Sequence, residues 1–323
     1  MSISPVLQVE DLHIDFQNDQ KPLPVLRGLS YTLAAGRVLA VVGESGSGKT
    51  VHALSLLRLL PAAGRVSGGK ILYKGENLLA LCEKELRQVR GQKIAMIFQD
   101  PAASLNPVLT VGEQLTETLR AHRKLTKEQA RQEAVKLLEK VGIADAEKRL
   151  DEYPFQFSGG MCQRVMIAMA LALSPDILIA DEPTTALDVT IQAQIIRLIK
   201  QLQEREKMAV IFITHNLALA SQVADEVLVL YGGMCMEQAP AKELFSQPKH
   251  PYTQGLLASL ASLKTRPERL PAIAGQPPVP GEIVTGCPFA PRCPRVKEKC
   301  RQSLPPLTKR GEHAVRCFWE NKP

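Results

Sequence analysis

Val38-Leu39-Ala40-Val41-Val42 runs straight into Gly43-Glu44-Ser45-Gly46-Ser47-Gly48-Lys49-Thr50, and that junction decides how the chain folds. The apolar run suits a strand covered on both faces. The eight residues after it fit G-x-x-x-x-G-K-[ST], a loop whose backbone N–H groups wrap around phosphate oxygens. Its glycines permit positive φ and bring the main chain against an anion with no side chain in the way. Lys49 is expected to reach the β- and γ-phosphates, and the Thr50 hydroxyl to sit on Mg²⁺. A helix opening near Gly48 adds the positive end of its dipole. A glycine-rich turn with one lysine is usually a surface loop. The complete pattern directly behind a buried strand points instead to a nucleoside-triphosphate site.

Size and composition agree with an ordinary soluble globular protein. The 323 residues leave room for about two domains, and 45% hydrophobic with 23% charged residues is an ordinary globular composition. The longest apolar run, Val165–Leu173, is about half of the roughly 20 residues that cross a bilayer. The opening MSISPVLQVEDLHI lacks a basic stretch followed by an apolar one, so no secretory signal is expected and the chain should stay in the cytosol. The net charge of +7 raises the question of nucleic acid. Lys and Arg are interleaved with acids, as in EKELRQVRGQK (83–93) and KEQARQEAVKLLEK (127–140), and aromatics are only 4%. Solvated helix faces account for that charge, and no nucleic-acid partner is expected.

Along the chain, residues 7–16 alternate apolar and polar and read as a strand. Residues 50–60 read as a helix stopped by Pro61, 68–78 as an edge hairpin, and 93–99 as a buried strand. From about 100 to 175 the pattern is helical. Thr126-Lys127-Glu128-Gln129 is a capping box, with Ala130, Ala134, Leu137, Leu138 and Val141 on one face and Gly142 at the end. This stretch interrupts a strand–helix alternation that resumes at Ile177–Asp181. A helix with Ile191, Ile195, Leu198, Ile199 and Leu202 on one face follows, then strands at 209–215 and 226–233. The fold class is therefore α/β, with a largely parallel sheet, an antiparallel β edge and an inserted α-helical subdomain. Past about residue 247 come a short helix in 249–260, a Pro-rich stretch at 266–283 expected to be extended, and a Cys-rich tail with little periodicity. The domain division expected is 1–250 and 251–323. No internal repeat is present.

Ile177-Leu178-Ile179-Ala180 delivers Asp181 to a strand end, where it can hold a Mg²⁺ water, and places Glu182 to polarise an attacking water. Gln99 follows the strand at 93–98, Ser158-Gly159-Gly160 opens a helix, Ala186-Leu187-Asp188 follows the acidic pair, and His215 ends a strand. In this order and spacing the set resembles the Q-loop, signature, D-loop and H-loop of the ATP-binding-cassette (ABC) ATPases, over roughly residues 5–250. The resemblance implies a P-loop core in which two such domains sandwich two ATP molecules head to tail. Ser158, Gly159 and Gly160 would then face the nucleotide of the partner subunit, with Asp188 close by. Gln99 would sense Mg²⁺ and the water, His215 would contact the γ-phosphate, and Phe16 would stack on adenine unless it is a plain core residue. The signature reads Phe157-Ser158-Gly159-Gly160-Met161, where the family most often has Leu first and Gln last. The anion-binding Ser and glycines are kept, while Met161 makes the contact less polar.

Seven cysteines are present, and Cys287, Cys293, Cys300 and Cys317 crowd into the tail. Four thiolates can ligate zinc or an iron–sulfur cluster. With no C-x2-C knuckle and with prolines between them, a [4Fe–4S] cluster is favoured over zinc or reduced thiols, and it would staple a tail that lacks a core of its own. The stretches HPYTQGLLASL, RLPAIAGQPPVPGEI and GCPFAPRC resemble the C-terminal extension of oligopeptide and dipeptide importer ATPases, a group that includes nickel and opine importers. That resemblance implies a cluster on these cysteines in some members. It also implies a second ABC ATPase subunit (by family habit a paralogue), two transmembrane permease subunits and an extracytoplasmic solute-binding protein as partners. The chain would act at the cytoplasmic face of the membrane. The alternative of another class is a soluble ABC ATPase acting on nucleic acid or the ribosome.

Overall fold

A computed structural model describes residues 5–17, 21–185, 187–265, 273–279 and 285–319, so Ala186 and most of the Pro-rich stretch read as extended lie outside the described residues. The chain divides into two compact units, Met1–Ala80 with Phe212–Pro323, and Leu81–Ile211. In chain order the first stretch holds β1 (Pro5–Phe16), β2 (Leu23–Ala34), β3 (Val38–Val42), α1 (Lys49–Leu56), β4 (Gly64–Tyr73) and β5 (Glu76–Asn77). The second unit holds α2 (Glu83–Val89), β6 (Ile94–Ile97), α3 (Pro101–Ser104), α4 (Val111–His122), α5 (Lys127–Lys140), α6 (Ala146–Arg149), α7 (Gly159–Leu171), β7 (Ile177–Asp181) and α8 (Val189–Glu206). β8 (Ala209–Thr214) carries the chain back into the first unit. There follow α9 (Leu217–Val223), β9 (Glu226–Tyr231), β10 (Met234–Pro240), α10 (Ala241–Ser246), α11 (Pro251–Thr265), α12 (Glu298–Gln302), β11 (Thr308–Arg310) and β12 (His313–Val315).

Within the first unit, β1 pairs antiparallel with both β2 and β4, in a sheet ordered β2-β1-β4-β5. The alternation of β1 puts Val9, Leu12 and Ile14 in the core. β3, buried at every position, lies parallel to β9, and β9, β10, β12 and β11 then pair antiparallel in that order. The sheets are thus mixed, with antiparallel pairing more extensive than the sequence pattern suggested. The helix read as 50–60 closes at Leu56, because Arg58 takes a left-handed φ of 51° that an α-helix cannot continue through.

The tail is not coreless. Cys287, Phe289, Ala290 and Cys300 are buried in one cluster with Tyr231, Met236, Leu244 and Tyr252. β12 adds to the free edge of β10, and His313 on it sits fully buried between two carboxylates. Its Nε2 meets Glu237 Oε1 and its Nδ1 meets Glu243 Oε1, each at 2.7 Å. Glu237 also accepts backbone N–H bonds from Lys249 and His250 at 2.7 and 3.0 Å, so its charge is fully engaged although it is 0% exposed.

The second unit is a short parallel pair, β6 beside β7, with a set of helices. Thr110 and Thr126 open α4 and α5 with reciprocal capping boxes, the second at the place the sequence marked. Ala130, Ala134, Leu138 and Val141 are buried as the periodicity required, and Gly142 takes φ 76° just past the end of α5. α7 is apolar nearly all round and buries Val165, Met166, Ile167, Ala168 and Leu171, as a helix enclosed by neighbours must.

Two histidines give the first unit an acid limit. His52 hydrogen-bonds Tyr31 Oη at 2.8 Å, and His250 Nδ1 accepts the Tyr252 N–H at 3.0 Å. Burial pushes His52 down to about 4 and His250 down to about 3. Below pH 6.5 the unfolded chain takes up protons that these folded sites refuse, so stability falls as pH drops from about 6.5 toward those values. Moving from pH 7 to pH 5 should cost on the order of 2 kcal/mol per histidine, read as a lower urea midpoint. His250→Asn should show a smaller loss, and a midpoint that does not move between the two pH values would contradict the assignment.

Candidate functional site

The phosphate loop is built where β3 releases the chain into α1. Gly48 caps that helix at φ 101° and makes no side-chain cap, which suits a helix N-terminus that receives an anion. A Cβ on Gly43 would be driven into the Leu230 carbonyl and to 2.9 Å from Ser47 Oγ, which is why only glycine fits there. Lys49 is buried, and its Nζ donates to the carbonyls of Gly43 and Glu44 at 2.9 Å each. Ser47 Oγ is also buried and has no hydrogen-bond partner among the described residues. Ser45, Gly46 and Thr50 are exposed. A buried hydroxyl with no partner among the described residues, in a loop that also buries an ammonium, is chemistry that fits a phosphate with its Mg²⁺.

Two residues that the sequence reading missed hold the second residue of this loop. The Glu44 N–H donates to Tyr252 Oη at 3.0 Å, and the Glu44 carboxylate receives Arg292 Nη1 and Nη2 at 2.6 and 3.1 Å. Tyr252 stands 208 and Arg292 248 positions further on, so no local spacing could have marked them. The paired carboxylate raises Arg292 above its ordinary value. His215, next after β8, is exposed, and Phe16 ends β1 half-buried, its ring against Gly64.

In the second unit β7 ends in Asp181, which is 1% exposed. Glu182 follows at φ 46°, a left-handed backbone that a non-glycine residue adopts only when the surroundings enforce it. Gln99 Nε2 donates to Glu182 Oε2 at 3.3 Å and Thr185 Oγ1 donates to the same oxygen at 2.8 Å. The structure therefore brings Gln99 and Glu182 together, and adds Thr185 to the set. Ser158 is the exposed N-cap of α7, its side chain accepting the Met161 N–H at 3.3 Å. Gly159 has ordinary space around it, whereas a Cβ on Gly160 would stand 2.8 Å from Ile191 Cγ2. Asp188 caps α8 by accepting the Ile191 N–H at 2.9 Å. The first turn of α8 thus packs where the Ser158–Gly160 turn needs room.

Cys287, Cys300 and Cys317 are buried and Cys293 is half-buried. Burial pushes the Cys287 thiol up to about 11, with repulsion from Cys300, Cys293 and Cys317 adding to it. Among the described residues no group of three or more His, Cys, Asp or Glu side chains is placed to hold a metal. The expectation of a [4Fe–4S] cluster is therefore not supported by this structure.

A family profile described as ABC transporter matches residues 26–185, and one described as the C-terminal region of oligopeptide/dipeptide transporters matches residues 236–300. The dipeptide transport ATP-binding protein DppD of Bacillus subtilis is 48% identical, across 98% of this chain and 95% of its own length. The oligopeptide transport ATP-binding protein AppD of the same organism is 45% identical across 98% and 97%. Among solved structures, the dimeric post-hydrolysis state of an ATP-binding cassette bound to ADP and Pi superposes with a TM-score of 0.66 at 26% identity, covering 73% of this chain and 98% of that one.

Gly43→Ala should leave the chain folded but displace the loop from Leu230. A fluorescent ATP analogue should then bind at least tenfold more weakly, the effect of losing about one charge-assisted hydrogen bond. Unchanged affinity would show that the loop has another way to accommodate the methyl group.

Proposed function

The chain belongs to the ABC transporter family, among the ATP-binding proteins of peptide import, and on that premise we propose that it is the ATP-hydrolysing subunit that powers uptake of di- and oligopeptides. The observation that carries this is the C-terminal match at residues 236–300 joined to the cassette match at 26–185, within relatives aligned over nearly the whole chain. The nickel- and opine-import alternative would use the same machinery, because the ATPase does not meet the solute. The relatives named above are transport ATP-binding proteins, which favours the import reading over a soluble ATPase acting on nucleic acid.

In the first unit, the main-chain N–H groups of the loop and the Lys49 ammonium bind the phosphates, and Thr50 offers its hydroxyl to Mg²⁺. Glu44, Ser45, Gly46, Ser47 and the glycines shape that cradle, Phe16 supplies an apolar face for the base, and His215 serves the γ-phosphate. In the second unit, Asp181 serves the metal and Glu182 accepts the proton of the attacking water. Gln99 and Thr185, both donating to Glu182 Oε2, fix the direction of the carboxylate. The metal supplies charge neutralisation of the β- and γ-oxygens when bound.

Two cassettes would close on two ATP molecules, each Ser158-Gly159-Gly160 turn offering the N-terminus of α7 to the nucleotide of the other subunit, with Asp188 at the same junction. The second cassette is a copy or a paralogue. No helix among the described residues is long and apolar enough to cross a membrane, which supports separate permease subunits, with this chain docked at their cytoplasmic face. A solute-binding protein would deliver the peptide from outside. Residues 1–250 form the working cassette in this reading, with residues 100–175 as its helical subdomain and 251–323 as the extension.

The four tail cysteines are proposed as a place where a soft metal centre, iron–sulfur in the first instance, is taken up. The support is chemical: three buried sulfurs and a fourth half-buried one lie close enough to repel one another as thiolates, which a bound cation would relieve. Protein purified without oxygen should carry iron in stoichiometric amount, lost together in Cys287→Ser and Cys300→Ser. Zinc or metal-free protein would remove the cluster from the reading.

Glu182→Gln should bind ATP with unchanged affinity while turnover falls about a thousandfold, the scale of a lost general base. Lys49→Ala should bind ATP roughly 10- to 100-fold more weakly. Hydrolysis that survives Glu182→Gln would remove Glu182 as the base, and wild-type affinity in Lys49→Ala would remove the loop as the phosphate site.

A further inference from the structure

We propose that Arg292, carried by the C-terminal extension, is a positioning residue for the ATPase reaction that acts through Glu44 of the phosphate loop. The inference rests on the ATPase reading above and adds a residue to it.

The guanidinium is used completely. Nη1 donates to Glu44 Oε2 at 2.6 Å and to Tyr231 Oη at 3.2 Å, Nη2 to Glu44 Oε1 at 3.1 Å and to the Ile273 carbonyl at 3.2 Å, and Nε to the Ala274 carbonyl at 3.0 Å. An arginine has five N–H donors in a rigid fork, and all five are engaged here. The side chain is 6% exposed, so the pair with Glu44 is shielded from water and is not a loose surface ion pair. The turn that presents it, Ala290–Arg292, is anchored by Phe289, whose ring packs 5.4 Å from Tyr231 and 5.3 Å from Tyr252. Tyr231 closes β9, the parallel neighbour of the strand that feeds the loop.

Glu44 is thereby held at both of its polar ends. Its carboxylate is gripped by Arg292, and its N–H is committed to Tyr252 Oη, so this amide is not offered to phosphate. The cradle proper begins at Ser45, and Glu44 is its fixed post. The pairing also has an electrostatic consequence. A carboxylate one residue into a loop that receives a triphosphate repels it, and the guanidinium cancels that charge where little water screens it. Removing Arg292 frees the post and uncovers the charge. Both effects act on nucleotide binding more than on the chemical step.

The test uses the full-length chain purified with its membrane partners, with kcat and KM for ATP measured beside the melting temperature of each variant. Arg292→Ala should raise KM about tenfold with kcat within about twofold of wild type, the pattern of lost binding. Adding Glu44→Gln to Arg292→Ala should recover most of the loss, because the uncovered charge is then gone. If Arg292→Ala does not fold, Arg292→Lys serves instead: it keeps the charge but loses the fork, and should raise KM about threefold. A wild-type KM in these variants, or a loss that Glu44→Gln leaves untouched while the melting temperature falls, would reduce Arg292 to a structural staple and overturn the proposal. A wild-type protein that neither binds nor hydrolyses ATP would fail the ATPase reading first, an outcome told apart by needing no variant.

Discussion

A buried strand must hand its chain to a helix through a turn that points N–H groups outward, and the first unit is organised around that requirement. β3 is buried at all five positions, so it cannot shift to accommodate the loop. The turn must take up the strain, and it does so at Gly43, packed against the Leu230 carbonyl, and at Gly48 with φ 101°. Lys49 then buries an ammonium against two carbonyls of the same loop.

The second unit meets a different constraint at the end of β7. Asp181 is buried and Glu182 turns into a left-handed backbone, a conformation that costs on the order of 1 kcal/mol and survives only if neighbours fix it. Thr185 and Gln99 provide that fixing through one carboxylate oxygen, leaving Oε1 as the oxygen not engaged by these two donors. Gln99 stands two residues past the end of β6 and reaches that carboxylate through a single 3.3 Å hydrogen bond, long and therefore weak.

What the sequence disclosed was what local chemistry encodes. The strand-to-helix turn at 43–50, the acidic pair at the end of β7, and the Thr126 capping box each write their geometry into a few adjacent residues, and each lies where it was read. β2 went unread because Pro24 and Gly28 break the alternation that Leu29, Tyr31 and Leu33 would otherwise announce. β10 went unread because it buries a glutamate: Glu237 looks like a surface residue until His313 arrives from 76 positions away. The tail looked coreless for the same reason, since Phe289 finds its aromatic partners Tyr231 and Tyr252 on elements far earlier in the chain.

These long-range pairs share a direction. His313 to Glu237, Phe289 to Tyr231 and Arg292 to Glu44 all tie the last forty residues to β9, β10 and the phosphate loop, so the extension is built into the wall of the first unit. A segment that merely decorated the cassette would spend its polar groups on itself or on water. Here an arginine with every donor engaged and a histidine between two carboxylates are both buried at the junction, which is expensive unless both partners stay in place. Loosening one end of such a set therefore raises the cost of holding the other. A disturbance around Cys287–Cys293, which bracket Phe289 and Arg292, has a short route to Glu44, along the chain to Arg292 and then across its ion pair.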